Sequence, residues 1–309
     1  MALEIMLIAE DHLNHRDCMK TATINAPAKI NLYLDIAGKR ADGYHDIVTV
    51  FHPVPGLYDR IEICEMDRVG VEFHCSHPQV PVDATNLCVK AAQAFAVAAG
   101  VAPRWSITLD KQIPVAGGCG GGSSDAAAVL TLLDRWHPGV LSPVQLLGLA
   151  RGLGADVPYF IEGGAAKATG IGEVLEPVSS RLDGALLLFN PVFPISAAWA
   201  YQHWSRFAPP PAPDLSRLLQ AMAAGDGQRA AALTYNGFEP AIYHKFPLLA
   251  MMARELCDQG AWCAHVSGSG PTLFAMCEES IAKSLQENMI SNYSGLWSFA
   301  TRFSLPTLC

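Results

Sequence analysis

The chain has 309 residues, half of them apolar and 16% charged, with a formal net charge of −8. This is ordinary globular composition, at a length that buries a large core and usually divides into two domains. The negative balance argues against a general nucleic-acid or anionic-membrane binder, and no apolar run is long enough to span a bilayer. Nine cysteines, an odd number without a C-x-x-C pair, fit a reducing, cytoplasmic setting. The tightest metal-like cluster, His74, Cys75 and His77, reads as a strand edge before a turn at Pro78, so no metal-ligand set is assigned.

In chain order, residues 1–20 read as a tail. Glu4, Glu10 and Asp11 surround the short apolar Ile5–Ala9 stretch, unlike a signal or transit peptide, and Met19 offers an alternative start. Thr21–Ile36 alternates: Ile30, Leu32, Leu34 and Ile36 share one face of a strand, Lys29, Asn31, Tyr33 and Asp35 the other. A glycine turn, Gly38–Gly43, leads to strands predicted at Ile47–Phe51, Ile61–Glu65 and Val69–His74. A helix is expected over Asn86–Ala99, with Asp83 or Thr85 as its cap and Gly100 as its stop. Trp105–Lys111 alternates again, and a helix follows from about Ser124 to Trp136. Ser142-Pro143-Val144-Gln145 is a capping box that opens the next helix, and Gly154–Pro158 reads as a loop. Beyond Gly164, Ala165–Thr169 and Val174–Pro177 form a predicted hairpin, Leu186–Asn190 a strand, and Ser196 caps a short helix. Helices at Leu215–Ala224 and Pro247–Gln259, then strands at Trp262–Val266 and Thr272–Cys277, complete an α+β pattern without a strict parallel repeat. The expected division is a tail (1–20), a first domain (21–163) and a second (164–309).

The informative stretch is Pro114-Val115-Ala116-Gly117-Gly118-Cys119-Gly120-Gly121-Gly122-Ser123-Ser124, with five glycines in six residues from Gly117 to Gly122. Glycine is wasteful in a packed element, but it suits backbone amides that turn inward toward a ligand. A helix begins just afterwards, so loop amides and helix N-terminus together make a phosphate site. Ser123 stands where a P-loop needs lysine, and again where a dinucleotide fingerprint needs glycine. The cation that balances the phosphates must come from elsewhere, with Lys29 and Lys111 as candidates.

Three segments together resemble the GHMP kinase superfamily: Pro27-Ala28-Lys29-Ile30-Asn31-Leu32, Pro114–Ala127 and His265–Thr272. Ala41-Asp42-Gly43-Tyr44-His45, the doubled Gly120–Asp125 run and Gly154-Ala155-Asp156-Val157-Pro158 resemble its branch acting on a cytidylated methylerythritol. Cys119 departs from the leucine usual in that loop, Ala116 from a common glycine, and the last thirty residues match poorly. The resemblance implies a two-lobed architecture, a ribosomal-S5-domain-2-like ATP lobe and a ferredoxin-like C-terminal lobe. It implies transfer of the γ-phosphoryl group of ATP, with Mg²⁺, to the C2 hydroxyl of 4-diphosphocytidyl-methylerythritol in non-mevalonate isoprenoid synthesis.

It also implies roles. The loop from Pro114 to Ser124 would hold ATP, with Asn86 and Lys111 on the nucleotide side, and Ser123 or Ser124 touching a phosphate or Mg²⁺. Asp156 would be the general base for a tertiary alcohol, with Lys29 between it and the γ-phosphate and Asn31 orienting the pair. Tyr44 and His45 would receive the cytosine, with Phe193 as the opposite wall. Cys119 would be partly accessible, and the protein a monomer or weak homodimer acting on a small molecule, without nucleic acid or membrane. Three alternatives compete: a kinase for another small alcohol, a non-catalytic nucleotide binder, and a hydrolase using Ser269 and His265. The last lacks a G-x-S-x-G elbow.

Overall fold

A computed structural model describes residues 20–303, so the tail assigned to 1–20, except Lys20, and its alternative start at Met19 lie outside the described residues. The chain forms two compact units that are not continuous in sequence. The first takes in the chain through Pro27, Tyr58–Val115 and Gly121–Gly163, and the second Ala28–Leu57, Ala116–Gly120 and everything from Gly164. Two long strands, β1 (Thr21–Lys39) and β2 (His45–Glu65), contribute to both.

β2 corrects the expectation of two short strands at Ile47–Phe51 and Ile61–Glu65. It runs unbroken for 21 residues through Pro53 and Pro55. Prolines two apart lose their N–H groups on the same strand edge, so the other edge keeps its donors. In the first unit, Arg60–Glu65 of β2 pairs antiparallel with Trp105–Asp110, and β3 (Gly70–Cys75) runs parallel to the same partner. Helix α1 (Leu87–Ala99) is capped by Asn86, not Asp83 or Thr85: its side-chain oxygen accepts from Cys88 N at 2.8 Å. Left-handed Gly100 (φ +66°) ends it by donating to Ala96 and Val97. After β4 (Arg104–Asp110) comes α2 (Gly121–Trp136), buried along Ala126, Ala127, Val129, Leu130 and Leu133. It starts three residues before Ser124, so the second part of the glycine run is helix. The capping box at Ser142 opens α3 (Pro143–Leu153). Gly154–Pro158, expected as a loop, leads at once into α4 (Val157–Glu162), because Pro158 sits in a first turn where its missing N–H is not needed.

In the second unit, the hairpin of β5 (Ala166–Thr169) and β6 (Val174–Pro177) pairs with β2 at Thr49–Phe51. β7 (Ala185–Asn190) is buried throughout. After it come α5 (Ala197–His203), capped by Ser196, α6 (Leu215–Ala224) and the short α7 (Gly227–Ala231). Then follow β8 (Tyr235–Asn236), α8 (Glu239–Lys245), α9 (Pro247–Asp258), β9 (Cys263–Val266) and β10 (Leu273–Cys277). The poorly matching end is well formed up to Phe303: α10 (Glu279–Asn292) precedes β11 (Trp297–Arg302), which pairs antiparallel with β7. β11-β7-β10-β9 is an antiparallel sheet whose core joins Leu187, Phe189, Val266, Leu273 and Ala275 to Leu249, Met252 and Leu256 of α9 and Leu285 and Met289 of α10. β8 runs parallel to β1, with Tyr235 opposite Tyr33 and Asn236 opposite Leu34.

Candidate active site

The alternation of β1 puts Lys29, Asn31 and Tyr33 on one face, and the fold buries that face as well as the apolar one: Lys29 is 4% exposed and Asn31 3%. A buried ammonium needs fixed partners. Lys29 Nζ donates to Asn31 Oδ1 (2.7 Å), Asn31 Nδ2 to Thr49 Oγ1 (2.8 Å), and Thr49 Oγ1 to the Tyr33 carbonyl (2.6 Å). The ammonium also lies 5.0 Å above the Phe51 ring.

In the second unit, the first half of the glycine run is fastened by its carbonyls. Gly117 O accepts from Thr272 N (3.1 Å), Gly118 O from Ser267 Oγ (3.0 Å), and Cys119 O from Lys29 N (3.0 Å). In a trans peptide the N–H points opposite the preceding C=O. The amides of Gly118, Cys119 and Gly120 are therefore turned away from those partners, as the amides of an anion nest must be. Gly118 is left-handed (φ +82°), and a Cβ there would collide with the Ser267 carbonyl. Ala116 accepts φ +54° where glycine is common. Cys119 is 1% exposed, which corrects the expectation that its thiol is partly accessible: it fills the space under the loop that leucine would occupy.

In the first unit, the second half of the run forms the first turn of α2, whose leading amides have no intrahelical acceptor. Under it lies an ion cluster. Lys111 Nζ donates to Asp59 and, at 2.9 Å, to Asp125 Oδ2, while Asp59 Oδ1 accepts from the amides of Gln112 (2.6 Å) and Ile113 (2.8 Å). A Cβ on Gly121 would stand 2.7 Å from Lys111 Nζ. Burial opposes the Lys111 charge, yet Asp125 and Asp59 hold its ammonium above its ordinary range. Burial pushes the Asp125 carboxyl up to about 8, against the pull of Lys111. Lys111 thus stands beneath the helix start as the centre of this cluster. Ser124 Oγ and Asp125 Oδ1 are buried without a hydrogen-bond partner among the described residues. Asn86 spends both side-chain groups on the backbone, at Cys88 N and at the Pro81 carbonyl (2.7 Å). Asp156 occupies the cap position of α4 and makes no side-chain cap bond there.

At the start of β2, Tyr44 is 61% exposed. His45 stacks on Tyr201 of α5 (5.1 Å between centroids, 24° between planes), Trp204 meets its edge, and Tyr201 packs at right angles on Phe238. Burial, then Lys39, lowers the His45 pKa, keeping the ring neutral with one donor and one acceptor nitrogen. Phe193 stacks on Phe246 at 5.4 Å between centroids. The aromatic partner of His45 is therefore Tyr201, which sequence reading missed. Its signal is an aromatic on the helix that Ser196 opens.

Residues 86–164 match the model of the GHMP kinases N terminal domain, and residues 218–295 that of the GHMP kinases C terminal domain. A 4-diphosphocytidyl-2-C-methyl-D-erythritol kinase of Chlorobium phaeobacteroides (strain BS1) is 40% identical over 262 residues, 84% of this chain and 91% of that one. The chain belongs to that branch of the GHMP kinases. A namesake from Chlorobaculum parvum (strain DSM 263 / NCIMB 8327) is 38% identical over 278 residues, covering 89% of this chain and 96% of its own. A crystal structure of 4-(cytidine 5'-diphospho)-2C-methyl-D-erythritol kinase is similar with a TM-score of 0.75 at 32% identity, over 90% of this chain and 98% of the other. GHMP kinase membership brings ATP use with it. In GHMP kinase terms Lys29 and Asn31 lie in the first motif and the glycine run lies in the second. No helix of the described residues is long and apolar enough to cross a membrane.

Proposed function

We propose that the chain transfers the γ-phosphoryl group of ATP to the C2 hydroxyl of 4-diphosphocytidyl-2-C-methyl-D-erythritol, releasing ADP and the 2-phosphate. The observation that carries this is the fastening of three successive carbonyls, Gly117 to Cys119, by Thr272, Ser267 and Lys29, which supports a phosphate-binding turn in a chain whose relatives are kinases. The amides of Gly118, Cys119 and Gly120 and the leading amides of α2 bind the phosphates, with Pro114, Val115, Ala116 and Asn86 completing the nucleotide contacts. Lys111 supports the segment from below. The buried Ser124 hydroxyl fits Mg²⁺ held with the nucleotide, and when bound this ion neutralises charge on the phosphates.

Phosphoryl transfer needs position and charge neutralisation more than covalent help. Asp156 accepts the proton of the C2 hydroxyl as its oxygen forms the new bond to phosphorus and the bond to the β,γ-bridging oxygen breaks. Lys29, aimed by Asn31, meets the negative charge on the transferring group. Tyr44 and His45 receive the cytosine, with neutral His45 hydrogen-bonding its polar edge. Phe193 is the wall suggested by sequence, but Tyr201, against His45, is the better-supported one. ATP and the cytidylated alcohol are both charged and water-borne, which supports a cytoplasmic reaction, and the proposed working form is a monomer or weak homodimer.

The test is ADP release with MgATP and a panel of alcohols. Release with the cytidylated alcohol alone is expected, and equal release with homoserine or mevalonate would overturn the assignment. Asp156→Asn should fold normally and lose on the order of a hundred- to ten-thousand-fold in turnover.

A further inference from the structure

The loop that fastens Gly118 is itself held from behind by a side chain with no part in the proposed chemistry. Asn236 closes β8 and is 2% exposed. Its Nδ2 donates to the Val266 carbonyl (2.6 Å) and the Gly268 carbonyl (2.7 Å), and its Oδ1 accepts from Phe238 N (2.9 Å). Both N–H bonds of the amide are used, and since both acceptors are backbone carbonyls the amide has one orientation only. β8 is in turn tied to the lysine-bearing strand: Asn236 lies opposite Leu34 of β1, and Gly237 N donates to Leu34 O at 2.8 Å.

The two carbonyls it grips flank Ser267. That residue's hydroxyl donates to Gly118 O (3.0 Å) and accepts from Asn31 N (3.3 Å). There is little slack around it. A Cβ on Gly268 would come within 3.3 Å of Asn31 Oδ1 and 3.4 Å of Gly118 O. Asn31 Oδ1 is the atom that receives Lys29 Nζ. A shift of the 266–268 backbone must therefore be taken up at both the phosphate nest and the lysine.

We infer that Asn236 is a positioning residue for phosphoryl transfer, a strut that sets the 266–268 backbone where Ser267 fastens Gly118 and Asn31 aims Lys29. Its rate consequences rest on the kinase assignment, whereas its structural consequence does not. In a site whose catalysis is placement, a displacement of the order of 1 Å costs about a hundredfold. A core amide that merely adds stability has no such local effect.

The experiment uses Asn236→Ala in the full chain, with kinetics, thermal melts and alkylation by iodoacetamide mapped on peptides. Cys119, Cys88 and Cys277 are all buried thiols, so they report on three places at once. The expected result is a fall in kcat of about tenfold or more with KM for the cytidylated alcohol within about twofold. Cys119 labelling should rise about tenfold while Cys88 and Cys277 stay protected. Labelling that rises equally at all three, or a kcat no lower than that of Leu218→Ala, a buried position of α6, at a matched loss of melting temperature, would overturn the inference. Ser267→Ala cuts the same strut one bond further along and should also expose Cys119 alone. Unchanged Cys119 labelling there would overturn it even if Asn236→Ala could not be purified folded. A wild-type chain inert toward the cytidylated alcohol would sink the kinase assignment and leave the labelling to decide the strut.

Discussion

The two halves of the glycine run are supported in different ways. Gly117–Cys119 hang from neutral groups, a serine hydroxyl and two backbone amides. The turn that begins α2 rests on a buried lysine between two aspartates. Neutral hydrogen bonds set geometry and ignore pH and salt, whereas a buried ion cluster holds strongly only while every charge keeps its partner. One half is thus specified by position and the other by charge balance.

The largest effect should come from breaking that balance. Lys111→Met leaves the Asp59 carboxylate buried without its cation and removes the donor to Asp125, and should cost roughly 3–5 kcal/mol in chemical denaturation. A loss under about 1 kcal/mol would mean that the carboxylates reach water or shed their charge freely. In the neutral half the comparable break is steric. Gly118→Ala adds a Cβ against the Ser267 carbonyl at a left-handed φ and should reduce turnover on the order of a hundredfold. Gly121→Ala should do less, because its clash is with the end of the Lys111 side chain, and equal losses would erase the contrast.

A pH series sharpens the comparison further. Folded Asp125 holds its proton more tightly than the unfolded chain, which releases it near about pH 4. Its stabilising contribution is therefore complete below that pH and is lost as pH rises through about 8. The wild-type melting temperature should decline from pH 5 to 8, and Asp125→Asn should flatten the decline; parallel curves would assign it to other groups. The smallest effect belongs to Ser267→Ala, roughly 1–2 kcal/mol for the two neutral hydrogen bonds its hydroxyl makes with Gly118 O and Asn31 N. Denaturation in low and high salt should show the same loss, and a salt-dependent one would place charge in the neutral half.

What the sequence made legible was local or carried by motif. Ser142 and Gln145 announced α3, the Thr169–Val174 turn announced its hairpin, and glycine density announced a tightly turned backbone before α2. What it hid was long-range. Asp59 escaped notice because Pro53, Pro55 and Gly56 look like a break, yet in the continuous strand it shares parity with buried Leu57, Ile61 and Ile63. A carboxylate on an apolar face must find a cation, and that parity was the available signal. The resemblance makes Asn86 a nucleotide contact and the fold makes it a helix cap, two uses that leave the same asparagine in the sequence. Phe193 and Tyr201 lie within one short stretch, and only tertiary packing separates the ring on Phe246 from the ring on His45. Asn236 carries no motif chemistry, so nothing in the sequence tied it to a loop 30 residues away.

The sharing of β1 and β2 between both units has a consequence for heredity. Cutting the gene after the codon for Gly163 would separate Ala28–Leu57 and Ala116–Gly120 from the rest of the unit they complete. The first half-gene encodes one whole unit together with fragments of the other, and the second encodes its unit without those fragments, so the two cannot be traded between relatives as cassettes. A recombinant joined there must inherit, from one parent, strands that fit the other parent's core. Exchange at that point is limited by matching side chains across Tyr33–Tyr235 and Thr49–Ala168, pairings that a crossover at Gly163 would split between two ancestries.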